Sequence, residues 1–214
     1  MTMQVGMLGT DGVVLASDTV WSMSRQAGVR DRSGSYKIKI SENRKIAASC
    51  AIDMYQADRI ASRIISELDS VDAAAREQRI REIARAIPPN REVECLVAFV
   101  EPQPSLFFVQ RSRHEDEPIC RMILDKSFVG DVLNPAVFWV ERYYQRLPIE
   151  TLKGLAAHAI VEAGNLNSGI IGGLEMVCGN TEGFRRLPTE EIDSFAEQSR
   201  RWYTQIGKMV IGSD

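Results

Sequence analysis

Thr2 follows Met1 directly. A small second residue favours removal of an initiator methionine, and removal would leave Thr2 with a free amine beside its own hydroxyl. That pairing activates a weak nucleophile, because the α-amine accepts the hydroxyl proton directly or through water. An α-amine titrates at about 7.7–8.0, close to a neutral working pH, so it can serve as the base. Other side chains offer less. His114 lies in a charged loop and His158 in a helical stretch, with no second histidine at ligand spacing. Gly169 to Gly173 lacks the preceding strand and the following Lys-Ser/Thr of a phosphate loop. Trp139, Tyr143 and Tyr144 gather on one predicted helix and read as packing or subunit contact.

The elements that must position Thr2 follow from the apolar pattern. Val5, Met7 and then Val13, Val14 and Leu15 flank Thr10-Asp11-Gly12, a strong hairpin signal. Ile38, Ile40 and then Ile46 to Ser49 read as a second hairpin around Glu42-Asn43. Ala57, Ile60, Ala61, Ile64, Ile65 and Leu68 repeat at the spacing of one buried helical face. A second helix runs from Asp72 to Ile87, where Pro88-Pro89 ends it. Strands return at 93–100, 106–110, 119–124 and 128–129. Asn134-Pro135 predicts an N-cap and first helical residue for a helix reaching Arg146. Leu152 to Ala163 is another helix and Leu174 to Cys178 a strand. Thr189 is expected to cap a last helix with Glu190 and Glu191 in its first turn. Strands in blocks and helices in pairs predict antiparallel sheets covered by helices, not alternating βαβ units.

Composition bounds the rest. A chain of 214 residues with 44% apolar and 26% charged residues is long enough for one well-buried domain and too apolar to be mostly disordered. A net charge of −3 argues against a nucleic-acid or anionic-membrane partner. No apolar run approaches the roughly 20 residues of a membrane span, and the N-terminus has no signal-peptide pattern. Cys50, Cys95, Cys120 and Cys178 are scattered without a C-x-x-C pair, which argues against a zinc site and fits a cytoplasmic location.

Thr2-Met3-Gln4-Val5-Gly6, followed by Gly9-Thr10-Asp11-Gly12-Val13-Val14-Leu15-Ala16-Ser17-Asp18, resembles the start of proteasome β-type subunits, which are N-terminal nucleophile hydrolases. Among these the chain looks most like the stand-alone bacterial homologues, of the β-proteobacterial type. The resemblance implies an α+β fold, specifically a four-layer αββα sandwich, with residues 1–214 forming a single domain. It implies that Thr2 is the nucleophile and that Asp18 pairs with an active-site lysine. That lysine maps to Lys37, with Lys39, two positions on and expected on the same strand face, as the competitor. The lysine ammonium would stabilise a developing alkoxide and lower the amine's proton affinity. Ser49 falls where a glycine N–H contributes to an oxyanion hole, a role that needs only the backbone. Asp53 follows at the family's spacing for an acidic residue.

Further along the match thins. Asp131 stands where the family carries a serine near the nucleophile. Asn165 replaces an acidic residue, and Ser168 matches the serine that follows it. Asp131 is expected to supply the carboxylate that Asn165 lacks. Trp21, Ala47 and Ala51 would line an apolar substrate pocket, and no cofactor or metal is implied. The resemblance thus implies a threonine endopeptidase that acts on peptides or unfolded proteins. It would assemble with itself into a homo-tetradecamer of two stacked heptameric rings, with an ATP-dependent unfoldase as a further partner. The alternatives are a non-catalytic or scaffold ring subunit of the same fold, or a small-molecule amidase.

Overall fold

The computed structural model describes residues 2–22, 30–31, 36–51, 54–88, 91–167 and 170–211. Asp11-Gly12 makes the expected turn, with the Gly9 N–H donating to the Gly12 carbonyl at 2.8 Å. It joins β1 (Met3–Leu8) to β2 (Val13–Ser17). A short pair follows, β3 (Trp21–Ser22) with β4 (Arg30–Asp31), then β5 (Ile38–Ile40) and β6 (Ile46–Ala51). α1 (Met54–Leu68) and α2 (Arg76–Arg85) precede β7 (Val93–Phe99), β8 (Ser105–Arg111), β9 (Ile119–Ile123) and β10 (Lys126–Gly130). α3 (Val137–Tyr143), α4 (Ile149–Leu166), β11 (Glu175–Asn180), β12 (Gly183–Arg186) and α5 (Thr189–Ile211) complete the order.

The strands form two five-stranded antiparallel sheets, ordered β10-β1-β2-β11-β12 and β5-β6-β7-β8-β9, with β3-β4 as a separate pair. β1 sits inside its sheet, so the residue that opens it is anchored on both sides. Gln4 and Glu175 both lie opposite Ser17, which aligns these three residues across neighbouring strands.

Period-2 alternation sorts the strand side chains. Met3, Val5 and Met7 of β1 pack with Leu152, Ala156, Ala159 and Ile160 of α4. Leu8, Val13 and Leu15 turn the other way and meet Ile38, Ala47, Leu96 and Leu106 of the second sheet. The far face of that sheet, including Ala48, Cys95 and Val97, packs on Ile60, Ile64 and Leu68 of α1 and Ile80 and Ile83 of α2. Each fully buried aliphatic side chain contributes about 1.5–3 kcal/mol relative to exposure.

Several expectations are corrected. The four-layer αββα sandwich gives way to an α+β fold with two antiparallel five-stranded sheets, the isolated β3-β4 pair and five α-helices among the described residues. Element order identifies hairpins, but it does not by itself fix how sheets stack. The helix from Asn134 is shorter than expected. Asn134 is not its N-cap, a position taken by Ala136; the Asn134 side chain instead closes the preceding turn, its Oδ1 accepting from the Ala136 N–H at 3.0 Å. α-Helical geometry, however, runs only over Val137–Tyr143, because Tyr144 is extended (ψ 129°). The Tyr144 hydroxyl instead donates to the Leu8 carbonyl at 2.7 Å. The second predicted helix begins as a 3₁₀ turn at Ala73–Ala75. No helix among the described residues is long and apolar enough to cross a membrane.

Candidate functional site

Three polar side chains meet in the interior at the start of β1. Thr2 precedes that strand, Asp18 follows β2 and Lys37 precedes β5. Lys37 Nζ donates to Thr2 Oγ1 at 2.9 Å and to Asp18 Oδ1 at 2.8 Å. Asp18 and Lys37 are 0% and 3% exposed, and Thr2 is 9% exposed. The hairpin explains the meeting. Antiparallel pairing brings Ser17 opposite Gln4, so the next residue along β2 lies level with the beginning of β1. The Met3 N–H donates to Asp18 Oδ1 at 3.1 Å and the Val20 N–H to Oδ2 at 3.3 Å, which fixes the carboxylate.

Burial shifts both charged groups towards neutrality. It raises the Asp18 pKa, against the opposing pull of Lys37 and the two amides. It lowers the Lys37 pKa, against the stabilising charges of Asp18 and Glu175. An ammonium of lowered pKa within hydrogen-bond reach of a hydroxyl suits stabilisation of an alkoxide.

Lys39 is not the partner. Its Nζ pairs with Asp58 of α1 at 2.5 Å, and its side chain is 32% exposed. The shared-face expectation fails because Lys37 lies before β5 begins, outside the strand's alternation.

The carbonyl of Thr2 is held as firmly as its side chain. It accepts from the Asp131 N–H at 2.8 Å. Gly130 has φ +90°, and a β-carbon there would lie 2.0 Å from the same carbonyl oxygen. Only glycine permits that approach and that backbone angle. Glu94 Oε2 receives the Gly130 N–H at 2.8 Å and completes the support.

Asp131 therefore touches Thr2 through its backbone. Its carboxylate accepts from Asn134 at 3.2 Å and Asn167 at 3.0 Å. Asn165 is exposed and donates to Glu162 in its own helix at 3.3 Å. The structure thus brings in Asn167, two positions beyond the residue singled out. Asn167 lies just past the last residue of α4, with φ −122° and ψ 48°, so its side chain leaves the direction that the helix would give it. Ser168, Asp53 and the side chain of Trp21 lie outside the described residues.

Ser49 sits in β6 opposite Ile38 and Leu96. Its hydroxyl is buried with no hydrogen-bond partner among the described residues, as is Gln4 Oε1. Ala47 and Ala51 are 0% and 1% exposed members of the core between the sheets. Small side chains at alternate positions of β6 let the facing sheet approach.

Glu175 was not singled out from the sequence. It is 5% exposed, and its Oε1 accepts the Ile38 N–H at 2.7 Å. The pairing of β11 with β2 places it, a long-range relationship invisible in local pattern.

No protein-family model and no curated protein matches the chain. Solved structures do. Anbu (ancestral beta-subunit) from Yersinia bercovieri superposes with a TM-score of 0.77 at 12% identity, covering 99% of this chain and 97% of that one. Anbu from Hyphomicrobium sp. strain MC1 gives 0.76 at 11% identity, covering 99% and 98%. The fold is thus that of Anbu chains, a proteasome-like but distinct group. This corrects the expected kinship with proteasome β-type subunits of the stand-alone β-proteobacterial kind. The motif match is strong over about the first 60 residues and thin from about 90 to 170, too little to choose the branch.

Proposed function

We propose that this chain is a threonine peptidase in which Thr2, once freed of the residue before it, attacks a peptide carbonyl. One observation carries the reading: the Lys37 ammonium bridges Thr2 Oγ1 and Asp18 Oδ1, with all three side chains buried. A purely structural ion pair has no need to recruit a threonine hydroxyl.

The chemistry balances. The α-amine of Thr2 takes the proton from Oγ1 as that oxygen bonds to the substrate carbonyl carbon. Lys37 holds the negative charge developing on Oγ1, and Asp18 keeps Lys37 charged and oriented. When the tetrahedral intermediate collapses, the C–N bond breaks and the leaving amine receives the proton from the α-ammonium. Water then hydrolyses the Thr2 ester by the same proton route. The backbone of Ser49 would receive the substrate oxyanion.

Self-assembly into two stacked heptameric rings belongs to the same proposal. Its support is apolar surface next to the site, with Val132, Leu133 and Phe138 at 47%, 90% and 59% exposure. Enclosure would confine a nucleophile of low selectivity to peptides and unfolded chains.

The test combines intact mass with labelling by an epoxyketone, which requires both a hydroxyl and a free amine. The expected result is a chain beginning at Thr2 that gains one adduct, lost in Thr2→Ala. A processed chain that takes no adduct and cleaves no peptide overturns the reading. Particle size by light scattering tests the ring.

A further inference from the structure

Glu175, Arg186 and Tyr36 form a second polar cluster directly behind Lys37. Glu175 Oε1 accepts the Ile38 N–H at 2.7 Å, and its Oε2 accepts from Arg186 Nη1 at 3.0 Å. Arg186 Nη2 donates to the Ile38 carbonyl, so acid and guanidinium clamp both backbone groups of one residue. The guanidinium also stacks over the Tyr36 ring, 3.6 Å from its centroid. Together these contacts grip Tyr36 and Ile38, the two residues that flank Lys37.

A carboxylate buried to 5% exposure is costly unless its charge is used. An Ile38 amide alone does not require an acid, since a neutral acceptor serves. The charged groups facing Glu175 are Arg186 on β12 and Lys37, with Asp18 beyond it. Across a cavity of about 640 Å³ lined by Glu175 and Arg186 stand Asp193 and Arg200 of α5.

We propose that Glu175 is a positioning residue for Lys37: with Arg186 it fixes the backbone on either side of the lysine, and its charge favours the ammonium that Thr2 needs. This rests on the peptidase reading for its consequence in turnover, but not for the coupling itself. Burial raises the Glu175 pKa to about 7, against the opposing pull of Arg186, the Ile38 amide and Lys37. The carboxylate is therefore ionised at the slightly alkaline pH at which a free α-amine acts as base.

The experiment compares wild type, Glu175→Gln, Glu175→Asp and Thr2→Ala in the full chain. Glu175→Gln keeps an acceptor for Ile38 but loses the charge and turns an amide N–H towards Arg186. It is expected to lower kcat roughly tenfold or more through misplacement of Lys37, with KM little changed. The alkaline limb of its pH–kcat profile should move to lower pH, and Glu175→Asp should restore that limb in part. Lys37 titration, followed by NMR of labelled lysine side chains, should show the same downward move whether or not the protein hydrolyses peptides. An unmoved Lys37 titration in Glu175→Gln overturns the proposal. So does a fall in kcat with an unmoved alkaline limb, because a merely structural loss would do that. Full hydrolysis by Thr2→Ala overturns the peptidase reading alone, and the NMR titration then still decides the coupling.

Discussion

Gly130 lies so near Thr2 that a β-carbon on it would stand 2.0 Å from the Thr2 carbonyl oxygen. The candidate nucleophile is thus gripped from its main chain by the end of β10, independently of the lysine that grips its hydroxyl. Gly130→Ala should cost about 1–3 kcal/mol from backbone strain alone. It should also reduce epoxyketone labelling even where the protein remains folded. Chemical denaturation and labelling kinetics on the same preparation check both effects.

Removing Lys37 tests the ion pair. Lys37→Met leaves the Asp18 carboxylate buried without its ammonium, at a cost of about 3–5 kcal/mol. Peptidase activity should fall to background. Adding Asp18→Asn to Lys37→Met should recover much of the stability and none of the activity. Urea unfolding of the single and double variants separates the two effects.

Ser49 should respond differently. Its hydroxyl is buried without a partner among the described residues, so Ser49→Ala removes an unsatisfied group and should leave stability unchanged or raise it by about 1 kcal/mol. Turnover should persist, because the proposed role belongs to the backbone. A large loss of kcat in Ser49→Ala would reassign the hydroxyl to the reaction.

Glu175 should leave a mark on stability against pH. Its folded pKa of about 7 lies above the ordinary 4.5, so between those values the folded state holds a proton that the unfolded state has released. Stability from this group therefore falls as pH rises from 4.5 to 7, and the full cost is present above 7. The thermal midpoint of wild type minus that of Glu175→Gln should decline across that window and then level off. A flat difference would mean that Glu175 titrates normally.

The two asparagines near the C-terminal end of α4 should separate cleanly. Asn167 donates to the Asp131 carboxylate and Asn165 does not. Asn167→Ala should loosen the Asp131 turn and slow epoxyketone labelling, while Asn165→Ala should leave labelling at the wild-type rate.

Local pattern made part of this site legible. Asp11-Gly12 predicts the hairpin, and the hairpin alone brings Asp18 level with Thr2. The apolar spacing from Ile60 to Leu68 predicts α1 and its buried face. What escaped depends on contacts between distant segments. Lys37 and Lys39 are equivalent by alternation; the motif selects Lys37, and the start of β5 at Ile38 is what gives the two side chains different surroundings. Glu175 reaches the lysine because β11 pairs with β2, a relationship no window of local sequence contains. Small residues such as Ala47 and Ala51 suit both a cleft and close sheet packing. Choosing between those needs the opposing sheet. Motif spacing points to Asn165, whereas Asn167, which closes α4 in a non-helical conformation, is the residue that reaches the Asp131 carboxylate.

The clamp behind Lys37 also orders events in time. Glu175 and Arg186 are synthesised more than a hundred residues after the lysine they secure. A chain still emerging from the ribosome has Thr2, Asp18 and Lys37 but not the strands that set the lysine in place. Under the peptidase reading proposed above, such a chain would leave its neighbours, and the machinery making it, uncut until β11 and β12 had docked.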